Sequence, residues 1–190
     1  MTEVVLFHHA QGLTPGVTAF ADALRTEGHT VHTPDLYEGR TFDTLDAGLA
    51  HLEQIGVDEI LARGVLAVAD SPAELVYIGF SLGVLPAQKL AQTRPGARGA
   101  VFAHSCVPSS CFGTWPSQVP VRIHAMEEDR LFTTEGDADA ARALVDEAPD
   151  AALFLYPGDR HLFVDSSLSA HDAEAAALML DRTLTFLRSR

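Results

Sequence analysis

The sequence predicts an α/β protein in which a mostly parallel sheet of about six strands is covered by helices on both faces. Six short apolar runs, rich in β-branched residues, recur along the 190 residues. Longer segments with helical periodicity separate these runs, and this alternation is typical of βαβ units. Most of the runs are apolar at consecutive positions, which indicates strands buried on both faces.

The individual elements follow from these patterns in chain order. The predicted strands are 4–7, 29–34, 75–80, 99–104, 119–125 and 151–157. The predicted helical segments are 16–28, 42–70, 81–94, 136–148 and 169–188, with Gly56 as a candidate break inside the second. In the last helix, the spacing predicts that one apolar stripe faces the sheet, made of Ala173, Ala176, Ala177, Leu180, Leu184 and Leu187. No repeat or linker-like stretch interrupts the chain, so we expect one domain over residues 1–190.

The charge balance excludes one large class of partners. The chain has a net charge of −13 and contains a single lysine, Lys89. Nucleic-acid binding needs clustered lysine and arginine side chains against the phosphate backbone, so we expect no nucleic-acid partner. The first residues lack the basic and long apolar regions of a signal peptide. No run approaches the roughly 20 apolar residues of a membrane span. We therefore expect a soluble cytoplasmic protein with no membrane partner.

A proline-bracketed loop joins the fourth and fifth predicted strands and contains both cysteines, Cys106 and Cys111. In a reducing cytosol we expect these to be free thiols. A loop of about fourteen residues suggests a functional role. Its apolar side chains Cys106, Phe112 and Trp115 are therefore candidates for the wall of a substrate pocket. A place in the hydrophobic core is an equally good interpretation for Phe112 and Trp115.

The motif with the clearest chemical meaning is Gly79-Phe80-Ser81-Leu82-Gly83, between a predicted strand and a predicted helix. A sharp strand-to-helix turn presents a serine hydroxyl above the sheet edge, and its neighbours two positions away must be small. The helix N-terminus beneath favours developing negative charge. The pattern predicts that Ser81 is a nucleophile; a glycine-rich turn with an incidental serine is the alternative.

A serine nucleophile needs a general base and an acid that orients the base. Hydrolases with this turn carry them in the order serine, acid, histidine. Asp129 follows the fifth predicted strand and His161 follows the sixth, at the edge where such sheets build their sites. We therefore predict Asp129 as the acid and His161 as the base, with Glu127 or Glu128 as alternatives for the acid. The other histidines are interpreted as structural or surface residues.

His8 and His9 end the first predicted strand, where a metal site is conceivable. Adjacent strand residues point to opposite faces, so the two rings are poorly placed to chelate one ion. We expect no metal site. The loop from His9 to Gly12 is better explained as a source of backbone N–H groups, because the second oxyanion donor of such hydrolases comes from the loop beside the nucleophile strand, alongside the Leu82 N–H.

Across nearly its whole length the chain resembles the dienelactone hydrolase family. The segments that carry the resemblance are HHAQGLTPG, EGHTVHTPDLY, GFSLG and YPGDRHLF. The resemblance implies a compact α/β-hydrolase fold of about six strands without a cap domain. It also implies a triad of Ser81, Asp129 and His161 and no cofactor. By the same resemblance, the backbone N–H groups of Ala10 and Leu82 form the oxyanion hole, and His9 and Gln11 are further pocket candidates.

The chain departs from the family pattern at three places. Well-known members carry a cysteine nucleophile, whereas this chain has Ser81, which predicts the profile of a serine esterase. His9 stands where the family often has a glutamate. Asp165 stands where the lactone-specific enzymes place an arginine to hold the substrate carboxylate, which argues against dienelactone as substrate. Arg130 or Arg160 could replace that cation; a surface role is the favoured interpretation of both.

From these features we predict a serine hydrolase that cleaves a small carboxylic ester or lactone through an acyl-enzyme. A thioesterase or an acyltransferase that uses the same triad is an alternative. A non-catalytic relative that only binds a ligand is another. We expect the protein to act as a monomer or a homodimer.

Overall fold

The computed structural model describes every residue from Met1 to Arg190. Its six strands are β1 (Glu3–Phe7), β2 (Thr30–His32), β3 (Val76–Phe80), β4 (Gly99–Ala103), β5 (Val121–Met126) and β6 (Ala151–Tyr156). They form one sheet in the order β2-β1-β3-β4-β5-β6, and every neighbouring pair is parallel. The predicted strand count, strand positions and parallel arrangement are confirmed.

Seven helices connect the strands: α1 (Pro15–Thr26), α2 (Leu45–Ile55), α3 (Val57–Ala67), α4 (Val84–Thr93), α5 (Arg130–Thr134), α6 (Asp137–Glu147) and α7 (Ala173–Leu187). Gly56 separates α2 from α3 with a φ of 83°, a left-handed conformation that glycine adopts without strain. The short α5 was not among the predicted elements, because five residues are too few to show helical periodicity.

The side chains of each strand alternate between two hydrophobic cores, one on each face of the sheet. Val5 and Phe7 of β1 lie in the core that α3, α4 and α6 cover. Val4 and Leu6 lie in the core that α1 and α7 cover. Burial on both faces explains why the strands read as continuous apolar runs. The predicted layering of helices on both faces is therefore confirmed.

The predicted inner stripe of α7 is partly wrong. Ala173 and Ala177 are exposed, and the buried positions of the helix are Ala175, Met179, Thr183, Leu184, Phe186 and Leu187. Because Met179 and Phe186 have far more apolar surface than alanine, the helix is rotated to bury these larger side chains. Gly99 of β4 leaves space for Phe186: a Cβ there would lie 2.7 Å from the phenyl ring. No helix of the chain is both long and apolar enough to cross a membrane.

The strand order places the loops that matter for function side by side. From β1 the chain adds β2 on one side and then β3 on the other, so the direction of winding reverses between β1 and β3. At such a reversal the loops that follow the two strands diverge to opposite faces and leave a crevice at the carboxyl edge of the sheet. The loops after β4, β5 and β6 extend this same edge.

Candidate active site

Ser81 lies in a strained turn directly between β3 and α4. Its φ of 49° is left-handed, which is costly for a residue with a Cβ. Both flanking glycines are needed. A Cβ on Gly79 would lie 2.4 Å from the Gly83 carbonyl oxygen, and one on Gly83 would lie 2.3 Å from the Phe7 carbonyl oxygen. These close approaches force the turn and leave the Ser81 hydroxyl at the sheet edge.

The Ser81 hydroxyl begins a line of hydrogen bonds to a buried carboxylate. Ser81 Oγ is 2.9 Å from His161 Nε2, and His161 Nδ1 is 2.7 Å from Asp129 Oδ2. The His161 side chain is 12% exposed and that of Asp129 only 1%, so the pair is shielded while the serine side of the ring faces a cavity. With Nδ1 donating to the carboxylate, Nε2 is free to accept the serine proton.

Backbone contacts between two loops hold the acid and the histidine in place. The Glu127 N–H donates to the Tyr156 carbonyl at 2.8 Å, and the Glu128 N–H donates to the Gly158 carbonyl at 2.9 Å. The side chains of Glu127 and Glu128 are exposed, whereas Asp129 turns inward and also caps α5 through the Leu131 N–H. Of the acids considered from the sequence, only Asp129 contacts His161.

The loop after β1 runs against the serine turn. Phe7 pairs with Gly79 in the sheet, so the chain that continues to Ala10 passes beside the residues around Ser81. No protein acceptor pairs with the backbone N–H of Ala10. Leu82 lies in the first turn after Ser81, where backbone N–H groups have no partner within the helix. These N–H groups are thus available for a negatively charged oxygen.

Gly48 of α2 is a site residue that the sequence did not reveal. A Cβ on Gly48 would lie 2.0 Å from the Ala10 carbonyl oxygen, so the helix backbone packs directly on the Ala10 loop. A glycine inside a helix lowers helix propensity, and here it allows this close approach. Only the tertiary contact explains the residue, and the sequence gives no local signal for it.

A second buried histidine–carboxylate pair lies behind the Ala10 loop. His9 Nε2 donates to Asp165 Oδ2 at 2.7 Å, and both side chains are fully buried. The Gln11 N–H donates to His9 Nδ1, which fixes the proton on Nε2. Burial raises the pKa of the Asp165 carboxyl, but hydrogen bonds from His9, Ser167 and Thr14 outweigh burial and lower it to about 2. His9 and Asp165 therefore have protein partners and are closed off from solvent.

Two other histidines near the site are buried and neutral. Burial lowers the pKa of His8 to about 4, and its ring lies between the His9 carbonyl and the Leu36 N–H. His8 and His9 thus bind different partners, as expected. His104 is fully buried, has a left-handed φ of 70°, and its ring centre lies 5.5 Å from that of His161. Burial lowers the pKa of His104 well below its usual value, and neither ring nitrogen has a protein partner.

Two cavities meet at His161. The smaller, about 270 Å³, contains Ser81, Leu82 and His104. The larger, about 630 Å³, is lined in part by Gln11, one of the predicted pocket candidates. Both cavities include Leu45 and His161.

Four predicted pocket residues lie elsewhere: His9, Cys106, Phe112 and Trp115. His9 is turned toward Asp165. Cys106 is fully buried beside Gln88, and Trp115 packs on Phe102 with its indole N–H donating to the Val119 carbonyl. Phe112 is partly exposed outside both cavities. Cys106 and Trp115 belong to the core and Phe112 to the outer surface, because the Trp115 side chain packs inward from the loop after β4. Cys106 and Cys111 are free thiols, as expected.

Solved structures share this architecture. A structure classed as an α/β-superfamily hydrolase, from Xanthomonas campestris pv. campestris, is 23% identical with a TM-score of 0.68 and full coverage of both chains. Dienelactone hydrolase from Anabaena variabilis is 17% identical with a TM-score of 0.70, covering 99% of this chain and 86% of its own. Thermogutta terrifontis esterase 2 is 15% identical with a TM-score of 0.71, covering 99% of this chain and 83% of its own.

At these identities the solved structures establish the α/β-hydrolase fold alone. A comparison with curated proteins finds no match. The sequence itself matches the dienelactone hydrolase family over residues 1–190, the whole of its length. The chain is therefore a member of the dienelactone hydrolase family.

Proposed function

We propose that the protein is a serine hydrolase that cleaves a small carboxylic ester or lactone, with Ser81, His161 and Asp129 as its catalytic triad. The observation that carries this proposal is the continuous hydrogen-bonded line from Ser81 Oγ through His161 to the buried Asp129 carboxylate. A strained serine turn, a base within hydrogen-bond reach and an orienting acid are the parts that nucleophilic acyl transfer needs. The esterases among the similar structures support the same reaction class.

In the first step, His161 Nε2 takes the Ser81 proton while Oγ attacks the carbonyl carbon. The carbonyl oxygen becomes negatively charged, and the Ala10 and Leu82 N–H groups stabilise it. His161 then gives its proton to the leaving alkoxide, the C–O bond breaks, and the acyl group stays on Ser81. Asp129 holds the ring in the required tautomer and stabilises the charged imidazolium.

In the second step, water replaces the alcohol. His161 takes a proton from water as the water oxygen attacks the acyl-enzyme, and the second tetrahedral intermediate collapses to free acid while His161 returns the proton to Ser81 Oγ. If an alcohol or amine attacks in place of water, the same residues carry out acyl transfer. A thiol leaving group gives a thioesterase.

The proposal is tested by p-nitrophenyl butyrate hydrolysis and by fluorophosphonate labelling of the purified protein. We expect Ser81→Ala to lose labelling and at least about 10³-fold in kcat, because the nucleophile is removed. Ser117→Ala removes an exposed serine of the loop after β4 and should change neither readout. Equal hydrolysis by the wild type and Ser81→Ala, or no labelling of the wild type, would overturn the proposal in favour of a ligand-binding protein.

A further inference from the structure

The two cavities that meet at His161 differ in chemistry. The carbonyl carbon of a substrate must bond to Ser81 Oγ, and Ser81 belongs to the smaller cavity alone. In the acyl-enzyme the acyl chain therefore lies in the smaller cavity. The leaving alcohol accepts its proton from His161 Nε2, so it must also lie beside that ring. The larger cavity also includes His161 but not Ser81, which makes it the candidate site for the alcohol.

The acyl cavity is small and largely apolar. At about 270 Å³ it lies near the lower limit for small-molecule sites. Its apolar walls come from α2, α4, the loop after β4 and α5, and include Leu49, Leu52, Leu85, Val107 and Leu131. Such walls stabilise hydrocarbon by removing it from water. The volume and the walls fit a short, unbranched or lightly branched acyl chain.

The alcohol cavity is rich in groups that form hydrogen bonds. The polar residues in its lining include Gln11, Thr41, Asp43, Thr44 and Ser169. The Gln11 amide already donates to the Phe42 carbonyl, and the Thr44 hydroxyl accepts from the Ala47 N–H. Thr41 is exposed, and no protein group pairs with its hydroxyl. Hydroxyl and carboxylate acceptors in an open cavity favour a ligand that carries its own O–H or N–H donors.

Neither cavity has a cation to receive an anionic substrate. No lysine or arginine lines either of them, and the acyl cavity contains the carboxylates of Glu135 and Asp137. Arg130 and Arg160 lie outside both cavities, and Arg160 is engaged with the His171 carbonyl. Binding of a substrate carboxylate would thus cost free energy, because the carboxylate would lose its water and lie beside carboxylates of the same charge.

Building on the proposed function, we propose that the substrate is an uncharged ester of a short apolar acid with a polar, hydroxyl-bearing alcohol. The apolar acid enters the cavity of Ser81. The alcohol enters the cavity of Thr41 and Asp43. Glu135 and Asp137 exclude acyl groups that end in a carboxylate, so an anionic lactone of the dienelactone type is rejected.

The charge part is tested with ethyl pentanoate and monoethyl succinate, whose acyl groups share two methylenes and then end in an ethyl group or a carboxylate of similar size. We expect kcat/KM to favour ethyl pentanoate by about tenfold or more, as expected for like charges a few ångströms apart. Asp137→Asn and Glu135→Gln should each reduce the ratio of kcat/KM for ethyl pentanoate to kcat/KM for monoethyl succinate. Asp139→Asn, on the same helix but outside the cavity, should leave it unchanged. Equal rates on the two esters would overturn the charge assignment.

The alcohol part is tested with glyceryl monobutyrate and propyl butyrate, which share acyl group and alcohol length. We expect the glyceryl ester to have the higher kcat/KM. Thr41→Val should reduce that preference, because it removes a hydroxyl while conserving shape, and it should leave the ethyl pentanoate to monoethyl succinate ratio unchanged. A preference for propyl butyrate would contradict the assignment of the larger cavity.

Failure of the substrate proposal and failure of the hydrolase proposal look different. If the substrate class alone is wrong, fluorophosphonate still labels Ser81 and the ester preferences reverse or disappear. If the wild type neither hydrolyses any of the four esters nor accepts the label, both proposals are overturned together.

Discussion

His9 and Asp165 are 156 positions apart in the sequence, yet they form a buried hydrogen bond of 2.7 Å that links the loop after β1 to the loop that carries His161. The backbone N–H of Gln11 fixes the opposite nitrogen of the His9 ring. Ala10 lies between His9 and Gln11, so its peptide is held in place through His9 by a side chain of the loop that carries His161. We infer that the pair positions the Ala10 N–H, the proposed oxyanion donor, relative to His161.

This link predicts a pH-dependent contribution to stability. Because the pKa of Asp165 in the folded protein is about 2, below the ordinary value of about 3.9, its ionised form stabilises the fold above about pH 5. That stabilisation, about 2 kcal/mol, is lost as the pH falls toward 2. Urea unfolding of Asp165→Asn should show a deficit of this size at neutral pH that shrinks in acid. Asp159→Asn, exposed on the same loop, is the matched control.

The Asp165→Asn variant should also have a lower kcat, because the Ala10 N–H loses its support. We expect KM to change less, since the interaction with the oxyanion matters most in the transition state. A variant that loses stability at neutral pH but keeps its full kcat would show that the pair only stabilises the fold.

The proposed acid of the triad can be tested by replacing one carboxylate oxygen at a time with an amide nitrogen. Asp129→Asn keeps an oxygen for the α5 cap but disrupts the acceptor at His161 Nδ1. We expect kcat for p-nitrophenyl butyrate to fall by about 10³–10⁴-fold, because the ring loses its tautomer and its charge partner. Glu128→Gln, at an exposed neighbour, should retain wild-type kcat. A comparable loss in Glu128→Gln would assign the acid differently.

Gly48→Ala separates helix stability from catalysis. Alanine is favoured over glycine inside a helix by about 1 kcal/mol. Its methyl group, however, would overlap the Ala10 carbonyl and displace the Ala10 loop, which carries the proposed oxyanion donor. We expect kcat to fall by at least about tenfold, since one oxyanion donor contributes more than that. Ala50→Gly, at an exposed position of the same helix, should weaken the helix and leave kcat unchanged.

Because the conformation of Ser81 is strained, we expect that replacing this serine by glycine stabilises the fold while it removes activity. A left-handed conformation costs a residue with a Cβ about 1–2 kcal/mol, and glycine avoids this cost. Both Ser81→Ala and Ser81→Gly should be inactive. In chemical denaturation, Ser81→Gly should unfold with the higher free energy, by about 0.5–1 kcal/mol once the greater flexibility of unfolded glycine is subtracted. Equal stabilities would show that the turn stores no strain.

The thiols should differ in reactivity. Cys111 is exposed, whereas Cys106 is fully buried and burial raises the pKa of its thiol. Because the thiolate is the reactive species, we expect Ellman's reagent to titrate one thiol per native chain and two after unfolding. Cys111→Ser should leave the native protein unreactive. Rapid reaction of both native thiols would contradict the buried position of Cys106.

The sequence predicts some parts of this molecule well because their signals are local. Strands covered on both faces produce apolar runs, and the glycines around Ser81 are imposed by contacts within one short turn. Asp129 and His161, which the structure brings into contact, could be proposed because each follows a strand end. The order serine, acid, histidine then limited the choice.

The cavity walls were not predictable in the same way. The loop after β4 has the length and apolar content of a pocket wall, but the Trp115 indole binds the Val119 carbonyl and turns that loop into the core. Only Val107 of that loop contributes to the apolar wall, which comes mainly from Leu45, Leu49 and Leu52 of α2, whose sequence shows only an amphipathic helix. Neither the His9–Asp165 pair nor the contact of Gly48 has any local signal, because both arise from long-range packing.

The order of the strands also determines when the site can exist. Its parts follow β1, β3, β5 and β6, and the Ser81–His161 hydrogen bond spans 80 positions of the chain. A chain emerging from the ribosome therefore has no working site until β6 and the loop after it have been synthesised and have docked beside β5. Contacts of such long range slow folding, because loop-closure entropy is lost before they form. Recovery of hydrolytic activity during refolding would accordingly report the final pairing of the sheet, because partly folded chains would be inactive.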